Sequence, residues 1–235
     1  MPAMDVDAVR TGRRFSRPCG RRHRTDEFRC PDPSISMTDP RPGEQMTDRD
    51  LILTWVRAER LALADFLEDL GETEWAQDSL CSGWTIHDVL AHITVRDTLR
   101  TALVGMIRAR GDWDRMTADL AREQAARFTP TQLIAQLRDM AGSAHRAPGA
   151  APVDPLVDII VHGQDIARPL GRTWQPSAER VVVALDHVLT SRFYGARKRL
   201  RGARLTATDI EWTYGDGHQE IQEQAIDLLL VATGR

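Results

Sequence analysis

From Asp50 to Leu70, apolar residues fall at Leu51, Trp55, Ala58, Ala62, Phe66 and Leu70, and this period predicts a helix. Thr47, with Asp50 three residues on, supplies its N-cap, and Gly71 its stop. Residues 72–83 read as a loop carrying Trp75 and Cys81. A second helix is expected from a Thr85–Asp88 capping box to about Ala109, with Ile86, Val89, Leu90 and Ile93 inward. Trp113 to Phe128 gives a third. Thr129-Pro130 opens a fourth, running to about Met140, with Leu133, Ile134 and Leu137 inward. Beyond a Gly/Ala/Pro-rich loop over 141–153, Asp154 and Pro155 are expected as N-cap and first residue of a helix that Pro169 to Gly171 ends. Ser177 to about Leu189 is the next, with Val181, Val182, Leu185, Val188 and Leu189 inward, and Arg197, Lys198, Arg199 and Arg201 form a solvated basic turn. Leu205 to Tyr214 alternates as a strand does. Gly215-Asp216-Gly217 reads as a turn, His218 to Gln222 as a returning strand, and Gln224 to Thr233 as a last helix before Gly234. Helices joined mostly by short links predict a mainly α fold: an up-and-down four-helix bundle over 47–172 and a small α+β unit over 173–235.

Residues 1–46 break this pattern. Seven arginines lie between Arg10 and Arg24, and Pro31, Pro33, Pro40 and Pro42 follow, with no apolar stretch of the secretory kind. Such a composition cannot bury a core and reads as a disordered leader. A start at Met37 or Met46 is the simpler reading, ahead of a basic tail for nucleic acid or membrane. The 235 residues carry a formal charge of −3, which argues against a general nucleic-acid binder. No apolar run approaches the roughly 20 residues that span a bilayer. Cys19, Cys30 and Cys81 form no CxxC pair, and this usage suits a reducing, cytoplasmic setting.

Candidate chemistry centres on Asp158-Ile-Ile-Val-His162-Gly-Gln-Asp165. Asp158 and His162 are four apart, so one helix face carries both. A carboxylate and an imidazole side by side can hold a divalent metal if a third ligand arrives from elsewhere, and His92 is the candidate. Asp165 could accept the free N–H of His162 and fix its tautomer. Asp88 could do the same for His92 or serve only as a cap. His87 points away and is expected to be solvated. The same acid-to-histidine spacing also arises on helices that bind nothing. No glycine-rich phosphate loop and no GxSxG elbow is present. Cys81 lacks an activating neighbour in sequence and reads as structural.

Together, Gly83-Trp84-Thr85, Asp88-Val-Leu-Ala-His92, Asp158-Ile-Ile-Val-His162-Gly-Gln-Asp165 and Pro169-Leu-Gly171 resemble the mycothiol-dependent maleylpyruvate isomerase family. So do Thr208-Asp209-Ile-Glu-Trp212, the Gly-Asp-Gly turn and the stretch from Leu228 to Arg235. The match spans nearly all of 47–235. The resemblance implies an actinobacterial protein with a DinB-like metal-binding bundle and a small α+β C-terminal domain. It implies a zinc-type divalent metal on His92, Asp158 and His162, mycothiol as thiol cosubstrate, and Arg235 as the arginine at the cleft. The isomerase type carries glutamate where Asp158 stands, and a side chain one methylene shorter bears on the isomerase activity more than on the metal. Arg235 is the last residue, where an end is expected to fray; members of the family usually run further. Arg96 could attract a substrate carboxylate or serve as an exposed ion-pairing group. The expected activity is thiol addition to a small electrophile, as isomerase or thiol transferase, with neither nucleic acid nor membrane as partner. A non-catalytic DinB-like metal-binding module is the alternative, and a helical interaction protein without metal the third reading. Substrate, metal identity and oligomeric state are not legible in the sequence.

Overall fold

A computed structural model describes residues 47–96, 99–147 and 149–235. The expectation of a disordered leader over 1–46 lies outside the described residues. The fold is mainly α. Four helices form the bundle: α1 (Asp48–Glu68), α2 (Ile86–Thr94), α5 (Pro130–Asp139) and α6 (Asp154–Ala167). α1 packs on α5 and α6, and α2 packs on the same two. Between α2 and α5 run α3 (Leu99–Arg108) and α4 (Trp113–Arg127), with α4 laid along α2. Reciprocal capping boxes start α1 at Thr47, α2 at Thr85 and α5 at Thr129, each satisfying backbone N–H groups that the first turn leaves open.

Several expectations are corrected. The buried stripe of α1 is Ile52, Val56, Leu63, Ala64 and Leu67, one position off the predicted one; Ala62 is exposed. Two charged residues, Glu59 and Arg60, complete that stripe. The long second helix is two helices. It stops at Thr94, whose hydroxyl donates back to Leu90 and Ala91 carbonyls, and Val95 is extended (φ −60°, ψ 128°). Adjacent β-branched residues disfavour another turn there. Val153, not Asp154, is the N-cap of α6, and the Asp154 carboxylate has other partners. His87 is half-buried, its Nε2 3.1 Å from the Phe128 carbonyl.

The C-terminal part holds α7 (Ala178–Thr190), α8 (Ala196–Arg199) and α9 (Ala225–Thr233) with a three-stranded sheet. The stretch read as one strand is a hairpin: β1 (Ala203–Ala207) pairs antiparallel with β2 (Thr213–Tyr214), Leu205 opposite Tyr214. Asp209, in the turn, accepts from the Ala225 N–H and ties the hairpin to α9. β3 (Gln219–Glu223) is parallel to β1 and lies on its other edge. The link from β2 to β3 therefore crosses the start of β1 at backbone contact. A Cβ on Gly215 would meet the Ala203 carbonyl oxygen at 2.5 Å, and one on Gly217 the Gly202 oxygen at 1.9 Å, so only glycine fits. α7 packs on α6 and on α9, and the buried apolar residues of bundle and C-terminal part form one continuous core. Among the described residues, no helix is long and apolar enough to cross a membrane.

Candidate metal centre

Two helices bring the centre together. His92 comes from the last turn of α2, and Asp158 and His162 from one face of α6. Apolar neighbours on both sides fix the helices: Val89, Leu90 and Ile93 on α2, and Val157, Ile159, Ile160 and Val161 on α6 are all buried. Asp158 Oδ1 lies 3.6 Å from His92 Nε2 and 3.5 Å from His162 Nε2. The two imidazole rings meet edge to face, centroids 4.9 Å apart. Trp84 meets the His92 ring at 5.3 Å and 72°, closing one side of it.

Asp165 governs the tautomer of His162. Its fully buried carboxylate lies 2.9 Å from His162 Nδ1 through Oδ2. Burial raises the Asp165 carboxyl, but the His162 and Arg235 hydrogen bonds and charges outweigh it, and the group is held well below the usual carboxylate range. An ionised Asp165 accepts the Nδ1–H and leaves the Nε2 lone pair facing Asp158 and His92. Arg235 supplies much of that bias, donating from Nε to Oδ1 (3.1 Å) and from Nη2 to Oδ2 (2.8 Å). The chain end expected to fray is anchored by this fork–fork pair.

Asp158 is 44% exposed on its open side yet packed round by protein on the others. Burial raises its pKa; the nearby His92 and His162 imidazoles and the Arg60 charge lower it more, to about 2. Arg60 comes from the buried face of α1, its Nη1 donating to the Met140 and Ser143 carbonyls. Cys81 lies beside the same cluster, its thiol donating to Asp165 Oδ2 at 3.1 Å. Burial, the Asp165 charge and that hydrogen bond push the thiol up to about 12. It stays protonated at neutral pH and is no nucleophile there, in keeping with its structural reading.

Among the described residues, two sets of donor atoms converge closely enough for a cation: His92, Asp158 and His162; and Cys81, His162 and Asp165. The second set carries the Arg235 guanidinium on Asp165 and a thiol that resists ionisation, so its positive charge is already in place. The first fits an ion better. Tetrahedral zinc with bonds of 2.0–2.1 Å puts neighbouring donor atoms about 3.3–3.4 Å apart. The 3.5 and 3.6 Å separations here need only a small closure. Two nitrogens and one carboxylate oxygen form a borderline donor set that leaves a coordination position open.

Sequence reasoning singled out His92, Asp158, His162 and Arg235; the structure brings His92 and Asp158 together with His162, and Arg235 onto Asp165 behind it. Asp88 closes the capping box of α2, its carboxylate accepting from the Thr85 N–H and hydroxyl. Arg96 is exposed past the end of α2. Missed from sequence was the cluster around Asp154. Its Oδ1 receives His187 Nε2 (2.7 Å) and the Tyr194 hydroxyl (2.8 Å), and its Oδ2 the Ala151 N–H. Nothing local in the sequence joins these groups. Residues 56–175 match the family model described as the mycothiol maleylpyruvate isomerase N-terminal domain; the matched stretch includes His92, Asp158 and His162 but not Arg235. No curated protein and no solved structure matches the chain.

Proposed function

Because this chain belongs to the mycothiol maleylpyruvate isomerase N-terminal domain family, we propose that it is a metal- and thiol-dependent enzyme. In this reading His92, Asp158 and His162 hold a divalent ion, zinc by its donor set, mycothiol is the thiol cosubstrate, and a small electrophile is attacked. The observation that supports it best is the convergence of two Nε2 atoms and one carboxylate oxygen, with the tautomer of His162 set from behind by Asp165. An ion held there lowers the pKa of a thiol that reaches its open position.

The protein's own groups do the rest. Asp158 supplies negative charge to the ligand set. Asp165 keeps a proton on His162 Nδ1, and Arg235 keeps Asp165 ionised. Cys81 stays protonated and does not compete as a nucleophile. The thiol gives its proton to solvent as its sulfur bonds to an electron-poor carbon, and the π pair of the double bond moves onto the conjugated carbonyl oxygen. As an isomerase, the enzyme lets the adduct rotate about the former double bond, and the carbon–sulfur bond then breaks; as a transferase, it releases the adduct. A cytoplasmic setting, where small thiols stay reduced, goes with this reading.

The test is consumption of maleylpyruvate or another electrophile by zinc-loaded protein, with and without mycothiol. Consumption is expected to need protein, ion and thiol together, and to fall to the uncatalysed rate in His92→Ala. Metal-loaded protein that consumes no electrophile would leave the alternative, a non-catalytic DinB-like metal-binding module.

A further inference from the structure

Arg60 is a buried cation that uses only part of its guanidinium. It is 5% exposed on the inner face of α1, which packs directly on α6. Its Nη1 donates to the Met140 and Ser143 carbonyls at 3.0 and 3.1 Å. Among the described residues, nothing accepts from its Nε or Nη2. Glu59, its neighbour in sequence, is taken up by Arg180. Buried donors normally find acceptors, and leaving them without one costs stability. Holding two carbonyls needs two N–H groups and no charge, so that role does not account for a buried arginine.

The Arg60 charge is felt at the centre. Burial lowers the guanidinium and the Asp158 charge opposes that effect; in return, Arg60 is the one arginine among the groups that act on Asp158. Arg96 and Arg192 are exposed and have no protein partner among the described residues, yet neither acts on Asp158. Solvent also screens an exposed guanidinium far more than a buried one. Arg235 is engaged by Asp165 through two N–H groups.

The chemistry set out above has one need that these other groups do not meet. When sulfur bonds to carbon, negative charge develops on the carbonyl oxygen, and donors aimed at that oxygen lower the barrier. A divalent ion with Arg60 and an ionised Asp158 also leaves positive charge that one thiolate does not cancel, which favours a second anion there.

We propose that Arg60 is a catalytic residue whose free Nε and Nη2 N–H groups hold the carbonyl oxygen of the electrophile and stabilise it as an enolate beside the His92, Asp158 and His162 centre. This rests on the functional reading above and supplies the group that meets the displaced electron pair. Arg60 keeps its protons throughout. In an isomerase the pair returns to re-form the double bond, and the carbon–sulfur bond breaks with its electrons on sulfur. In a transferase a solvent proton adds to the carbon next to the carbonyl. Neither route needs an oxidant or a reductant.

The probe is propane-2-nitronate, a planar oxyanion shaped like an enolate, titrated by calorimetry into full-length, zinc-loaded protein at mildly alkaline pH. Wild type, Arg96→Ala and Arg192→Ala are expected to bind it alike, and Arg60→Gln about tenfold more weakly. Zinc content and circular dichroism matching wild type establish that the variant is folded. In wild type itself, the Arg60 Nε–H signal in nitrogen-15 NMR is expected to move as nitronate is added, so the idea stays testable if Arg60→Gln does not fold. A guanidinium that only pins the loop after α5 would leave that signal in place. Equal affinity in Arg60→Gln, no binding to wild type at millimolar nitronate, or an unmoved signal overturns the proposal. So does a larger loss in Arg96→Ala or Arg192→Ala, since an exposed arginine would then hold the oxygen. The two readings separate: nitronate binding that needs Arg60, in protein that consumes no electrophile, keeps the oxygen site while the functional reading falls. Thiol-dependent turnover that Arg60→Lys retains at full kcat leaves the functional reading standing and removes this one.

Discussion

At the scale of single residues, the account turns on Asp165. It lies outside the His92, Asp158 and His162 set, yet it receives His162, Cys81 and Arg235 together. Removing it frees the His162 ring to flip or change tautomer. Asp165→Ala should weaken zinc binding by about 10- to 100-fold, measured by competition with a chromophoric chelator; an unchanged affinity would mean that Asp165 does not orient His162. A second expectation concerns Cys81. With its thiol pushed up to about 12, iodoacetamide at pH 8 should leave the Cys81 peptide unmodified in folded protein and label it after denaturation, as read by mass spectrometry. Rapid labelling of folded protein would show a thiolate. The sequence made His92, Asp158, His162 and Asp165 visible because helical spacing and local apolar stripes carry that information. Asp154, His187 and Tyr194 were invisible because their contacts join positions 33 and 40 residues apart, and no periodicity encodes such a meeting.

At the scale of elements, caps and turns were more legible than faces and breaks. Thr47 and Thr85 announce their helices through a local rule that the structure obeys. The inward face of α1 was misread because Glu59 and Arg60 occupy it, and a pattern of apolar residues cannot anticipate charges buried by distant partners. Glu59 receives Arg180 of α7 at 2.6 Å, and Arg60 reaches carbonyls beyond α5. The break between α2 and α3 and the turn inside the hairpin follow from tertiary ties that alternation does not reveal. α6 offers a sharp test of propensity against packing. Gly163 follows His162, and a Cβ there would lie 2.2 Å from the Trp174 ring, which is buried. Helix propensity alone says Gly163→Ala stabilises by about 1 kcal/mol. Overpacking against the indole costs about 1–3 kcal/mol. Packing should win: the variant is expected to melt lower than wild type and to bind metal more weakly, because α6 must shift beside His162. A higher melting temperature would contradict the close approach.

Across the whole molecule, a continuous core runs from the bundle into the C-terminal part, and carboxylates held by cations set its acid response. Asp158, lowered to about 2, and Asp165, lowered further still, are depressed below the unfolded value of about 3.9. A depressed carboxylate contributes stability that is complete above the unfolded pKa and is lost as pH falls through the folded one. The difference in melting temperature between wild type and Asp165→Asn should therefore be largest above about pH 4 and shrink as pH drops toward 2. A gap that widened on acidification would reverse the assigned charge state. The central claim is that α2 and α6 present one shared ion site, and metal content tests it most directly. Untagged protein, loaded with zinc, dialysed and analysed by mass spectrometry, should carry about one ion per chain, and His162→Ala, still helical by circular dichroism, should carry none. A folded wild type without metal, or a His162→Ala variant that keeps its full ion, would contradict it.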